Sequence, residues 1–192
     1  MLKEDLERFY EIHGKTGSKK IRLFLRNQGF QGVLIFRFGH WLLKQNFFLR
    51  ILLKIPYVFL NHRLKSKWGI DIDAHTRIGK GFMIYHYGGI FIGGEAVIGD
   101  NFSIGHDVTI GVAGKGSFRG VPVIGDNVIV SAGASIHGKI KIGNNVTIGA
   151  NAVVDKNIPD YALVQMPAMR IVKFPTFYAN KSKSSNTNIA EE

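Results

Sequence analysis

Residues 97–110 read Val97-Ile98-Gly99-Asp100-Asn101-Phe102-Ser103-Ile104-Gly105-His106-Asp107-Val108-Thr109-Ile110, with an isoleucine at every sixth place. The beat extends both ways. Upstream it falls on Ile72, Ile78 and Ile84, skips two residues, and resumes at Ile92. Downstream, eight extra residues follow Ile110, after which it continues at Ile124, Val130, Ile136, Ile142, Ile148 and Val154. Glycine follows eight of these thirteen lead positions, and a small or apolar residue such as Phe102, Val108, Val128, Ala134, Val146 or Ala152 stands four places after a lead.

A period of six matches neither a continuous helix nor a long plain strand. It matches a short strand and a corner, with three such units closing one triangular coil of a parallel β-solenoid. The lead aliphatics then point inward, and coils stack ~4.8 Å apart. Glycine after the lead reads as the residue that tolerates corner dihedrals. The residues that break this pattern are where chemistry is expected, because a solenoid alone is not a function.

The chain of 192 residues has 45% hydrophobic content, enough for one core and a small appendage. It has no cysteine, which excludes disulfides and a thiol nucleophile. The opening MLKEDLERFYEIHG lacks the apolar run of a signal peptide, so a cytoplasmic location is expected, with the inner face of the membrane as the other option. The net charge of +11 is uneven. Residues 1–68 hold fourteen Lys/Arg against four Asp/Glu, and the remainder eleven against ten. No nucleic-acid-binding pattern accompanies the excess, so nucleic acid is not an expected partner.

The sequence divides into a basic helical segment (1–68), a solenoid (69–158) with one loop at 112–121, a C-terminal cap (159–179) and a disordered tail (180–192). Residues 3–13 read as a short helix, broken at 14–18. Helical spacing continues over 19–65, with interruptions expected near Gly29 and at Pro56. The run FFLRILLKIPYVFL (47–60) is too short to span a bilayer. Two readings stay open for it: packing on the solenoid or another subunit, the default, or resting as a basic amphipathic helix on a membrane surface. The loop VAGKGSFRGV (112–121) reads as mobile cover for a site. Pro159 and Pro167 are expected to end the ladder.

His86 and His106 each stand two places after a lead residue, one full coil apart. Their imidazoles should sit one above the other, as a proton-transfer pair or part of a metal site. A metal needs a third ligand, and none has the right spacing, so no metal is expected.

Ile70-Asp71-Ile72, the run Arg77 to His86, Gly93 to Gly99 and Val108-Thr109-Ile110-Gly111 resemble the hexapeptide-repeat acyltransferases over about residues 69–172. Among these the chain is most similar to the serine O-acetyltransferases and the related colanic-acid-type enzymes that acetylate bacterial surface polysaccharides. The resemblance implies a mainly β fold, a left-handed parallel β-helix preceded by a small α-helical segment. It also implies a homotrimer with acetyl-CoA between adjacent subunits; whether trimers pair further stays open. His86 matches the family's base, which takes the proton of the acceptor hydroxyl, a role suited to imidazole. Asp71 matches the carboxylate that orients that imidazole. Gly111, the Ser131-Ala132 corner and Ala150 match the strip that holds the acyl donor. Lys141 and Arg170, with Lys139 and Lys156, are candidates for its phosphates.

Two departures bear on the acceptor. Serine acetyltransferases carry an acid just before the catalytic histidine, where this chain has Tyr85, and an Arg-His pair before a proline, where it has Gly120-Val121. With both charged handles gone, Tyr85, Tyr87 and His106 read as acceptor-binding residues for a sugar. The expectation is therefore O-acetylation of a carbohydrate, a bacterial surface polysaccharide or its precursor. The alternatives are serine O-acetylation with an altered acceptor pocket, N-acetylation of an amino sugar, and a non-catalytic basic solenoid.

Overall fold

The computed structural model describes residues 1–13 and 27–167. Three helices come first: α1 (Leu2–His13), α2 (Gln28–Leu42) and α3 (Phe47–Trp68). Gly69 ends α3 in the left-handed conformation, φ 60°, and the strands begin at Ile70.

The strands form three parallel sheets. The first contains β1 (Ile70–Ile72), β4 (Ile90–Ile92), β7 (Thr109–Gly111), β10 (Ser135–His137) and β13 (Val153–Val154). The second contains β2 (Arg77–Ile78), β5 (Val97–Ile98), β8 (Val123–Ile124) and β11 (Lys141–Ile142). The third contains β3 (Met83–Ile84), β6 (Ser103–Ile104), β9 (Ile129–Val130), β12 (Thr147–Ile148) and β14 (Leu163–Val164). The chain visits the sheets in rotation and so winds as a parallel β-helix. Ile70 pairs with Ile90, Phe91 with Thr109 and Thr109 with Ser135, which puts the two-residue excess in the first turn and the eight-residue excess in the third. All thirteen lead residues are buried, none more than 4% exposed.

In the second sheet the glycines after the leads do a different job from the one their position suggests. Left-handed corners fall instead three places after a lead, on Asn101, Asp107, Asn127 and Asn145 with φ from 54° to 57°, and on Gly81 and Gly133 at 72° and 74°. A Cβ on Gly79, Gly99 or Gly143 would lie 2.2 Å from Oδ1 of Asp100, Asp126 or Asp160 respectively. Those oxygens accept backbone N–H bonds from the neighbouring coil: Lys80 N to Asp100 (3.0 Å), Asp100 N to Asp126 (2.7 Å) and Asn144 N to Asp160 (2.8 Å). Glycine makes room for a side-chain ladder that satisfies corner amides.

The helices differ from the sequence expectation in three ways. Gly29 lies inside α2 and does not interrupt it; a Cβ there would meet the Ile84 carbonyl oxygen at 2.4 Å, so glycine lets the helix lie against the first coil. Pro56 lies inside α3, which continues through it. Finally, α3 packs on α2 and β1 and buries Leu64, yet its apolar stripe from Phe47 to Phe59 faces away, so the expected packing on the solenoid does not cover it. At the other end the ladder runs past Pro159: Ile158 bridges Ile142, and β14 pairs with β12. The expected break at 14–18, Arg170, the tail and the cap beyond 167 lie outside the described residues.

One buried ion pair ties helices to solenoid. Arg37 of α2 donates from Nε to Asp5 Oδ2 (2.8 Å) and from Nη2 to Asp5 Oδ1 (3.1 Å). Its guanidinium also donates to the carbonyls of Ile78 and Gly79, and Asp5 Oδ1 accepts the Phe82 amide at 2.8 Å. Asp5 is fully buried and Arg37 9% exposed. Removing one partner strands the other's charge. Asp5→Ala is therefore expected to cost about 3–5 kcal/mol in urea unfolding.

At the corner after β1, Asp73 Oδ1 accepts the His75 amide at 2.8 Å and faces the His75 ring Nδ1 at 2.9 Å. Burial pushes this carboxyl up, but the bonds from His75 and the charges of His75 and Lys65 outweigh it and hold the group below the ordinary range. A depressed carboxyl contributes stability above its unfolded value and loses it as pH falls through the folded one. The melting-temperature gap between the wild type and Asp73→Asn should therefore narrow as pH drops below about 4.

Candidate active site

The parallel register stacks four corners along the edge where the third sheet turns into the first. They are Tyr85-His86, Gly105-His106, Ser131-Ala132 and Gly149-Ala150. Main-chain bonds fasten each to the next: Tyr85 N to Ile104 O, Gly105 N to Val130 O and Ser131 N to Ile148 O, all 2.9 Å. The His86 and His106 rings meet edge to face, centroids 5.9 Å apart. His86 is exposed, while His106 is half-buried with Nε2 3.9 Å from Asp107 Oδ2. Tyr85 and Tyr87 flank His86 and are both exposed.

Most residues singled out in the sequence thus share one edge: Tyr85, His86, Tyr87, His106, Ser131, Ala132 and Ala150. Two do not. Gly111 ends β7 within the first sheet, paired with His137, and Lys141 stands exposed on β11 in the second sheet. Asp71 lies on β1 opposite Phe91. Its Oδ1 is 2.7 Å from Lys65 Nζ, and among the described residues no hydrogen bond joins it to His86. No three His, Cys, Asp or Glu side chains gather as a metal site among the described residues.

Sequence reasoning missed a second feature. At the opposite edge of the first sheet, the loop after β7 shares a cavity with the corners of the two coils before it. It is held by paired backbone bonds between Ala113 and Gly120, at 3.1 and 3.0 Å. Beside it lies an open cavity of about 500 Å³ lined by Asp73, His75, Glu95 and Arg119, with Phe91 and Val112. The carboxylates come from the corners after β1 and β4, and the guanidinium from the insertion. Nearby, burial and then the charges of Asp73 and Asp71 push the Tyr57 hydroxyl up. The sequence signal was the length of the insertion, which permits a return over earlier coils without revealing where it lands.

Residues 122–156 match the family model "Bacterial transferase hexapeptide (six repeats)". Serine acetyltransferase of Synechococcus elongatus is 37% identical over 156 residues, which are 80% of this chain and 61% of that enzyme. The chain thus spans about three-fifths of that relative's length. The crystal structure of Neisseria gonorrhoeae serine acetyltransferase superposes with a TM-score of 0.68 at 34% identity, covering 98% of this chain and 69% of that one. The coenzyme A complex of Brucella abortus serine acetyltransferase gives 0.71 at 33% identity, covering 88% and 65%.

These findings overturn the polysaccharide acceptor expected from the sequence, because the relatives are named for serine. The expectation failed on a local comparison: Tyr85 and Gly120-Val121 lack charge, while the fold gathers Asp73, Glu95 and Arg119 from three separate stretches. The chain belongs to the hexapeptide-repeat transferases, and the relatives it matches are named serine acetyltransferases.

Proposed function

We propose that this chain transfers the acetyl group of acetyl-CoA to the hydroxyl of L-serine, with His86 as general base. The observation that carries the choice of acceptor is the cavity under Arg119. A zwitterionic amino acid calls for a cation and an anion within one site, and Arg119 lines the same cavity as Asp73 and Glu95. A neutral sugar calls for neither. The names of the relatives point the same way.

In the reaction, the serine oxygen attacks the thioester carbon as His86 takes its proton; the C–O bond forms and the C–S bond breaks. His86 then returns the proton to the thiolate, leaving O-acetylserine and free coenzyme A. With no cysteine available, the transfer is direct. The edge of stacked corners, with small Ser131, Ala132 and Ala150 below His106, suits the extended thiol arm of the donor. Gly111 lies in the sheet beside it, and Lys141 and Arg170 are the candidates for its phosphates. Asp71 takes the orienting role on substrate binding, since catalytic hydrogen bonds often tighten only then.

His86 and the cavity occupy opposite edges of one sheet. Strands rise ~3.3 Å per residue, so a three-residue strand with its two corners is longer than a serine. The working site is therefore composite, with His86 of one copy facing the cavity of the next, and the homotrimer implied by the family resemblance supplies such a groove.

Thiol release from acetyl-CoA should require L-serine. His86→Ala should lower kcat by about 10²–10⁴-fold with the assembly intact. Arg119→Met should chiefly raise KM for serine, by roughly tenfold or more for one charge-assisted bond. No turnover with L-serine, or full activity in His86→Ala, would refute the reading.

A further inference from the structure

The outer face of α3 takes no part in the fold or in the proposed chemistry. Phe47, Phe48, Ile51, Leu52, Ile55 and Phe59 recur at helical spacing on one side, each between 54% and 83% exposed. Such a stripe on a surface helix marks a contact surface. The rings of Phe47 and Phe48, 5.9 Å apart, form a wedge at its start. The same helix carries Arg50, Lys54, Arg63, Lys65 and Lys67 and no acidic residue. Lys65 is engaged by Asp71; the other four have no carboxylate partner among the described residues.

We infer that this face docks the protein, lying flat, on an anionic lipid bilayer. Two features select that occupant. Aromatic and aliphatic side chains on one side of a helix with cations beside them are what the headgroup boundary of a bilayer accepts. The exclusively basic charge of the helix is complementary to acidic lipid headgroups. A second copy meeting the face about a two-fold axis would set the cations of one helix against those of the other with no acidic residue between them, which is repulsive. The helix lies on the membrane and does not cross it: among the described residues no helix is long and apolar enough to span.

The test is flotation of the full chain with unilamellar vesicles. Binding is expected to equimolar phosphatidylglycerol–phosphatidylcholine vesicles and to be at least about tenfold weaker to phosphatidylcholine alone or at high salt. The double variant Phe48→Glu/Phe59→Glu should lose flotation while keeping its oligomeric mass, measured by light scattering, and its acetyl transfer to serine. Failure of the wild type to float, equal binding to both vesicles, or flotation unaffected by the double variant would overturn the proposal. So would a change of oligomeric mass in that variant, which would assign the face to a second copy.

Discussion

One aliphatic side chain pointing inward every six residues is the constraint from which the rest of this molecule follows. A triangular coil has room inside for little more than those leads and the small or apolar residues four places on, such as Val108 and Ala134, both fully buried. Polar chemistry is thereby forced to the corners and to whatever the chain inserts between hexapeptides. Both candidate functional regions sit beside insertions, the His86 corner at the two-residue excess and the charged cavity under the eight-residue one. Because the sheets are parallel and in register, a corner residue meets its counterpart one coil along. That is why a spacing in the sequence becomes a contact between the rings of His86 and His106.

This explains what was legible. The coil, its phase, the boundary at Gly69 and the pairing of the two histidines are periodic, so counting finds them. The corner ladder is present in the same letters, as Gly99-Asp100-Asn101, Gly125-Asp126-Asn127 and Gly143-Asn144-Asn145, but at these corners the asparagine and not the glycine takes the left-handed dihedrals. Gly29 is ambiguous for a related reason. A glycine that breaks a helix and one that lets a helix touch another backbone look the same in one dimension; only the Ile84 carbonyl distinguishes them.

The acceptor was illegible for another reason. Reading specificity from the residues beside the base and before Pro122 assumes that function stays at fixed places in the chain. An inserted loop breaks that assumption, because Arg119 comes to line the same cavity as Asp73 across a sequence gap that no period predicts. Charge complementarity is a property of the assembled surface.

The helical segment obeys a separate logic. An open solenoid end exposes core, and α2 covers it: Gly29 and Gly32 admit Ile84 and Ile70, and the Asp5–Arg37 pair satisfies corner carbonyls that would otherwise face a dry interface. That duty needs α2 and only the inner face of α3, where Leu64 is buried and Tyr57 nests against Gly39. Capping therefore places no demand on the outer face of α3, and large apolar groups there cost solubility without adding to the core. A pattern the fold does not need, at helical spacing and with charge of a single sign, has its cause outside the chain.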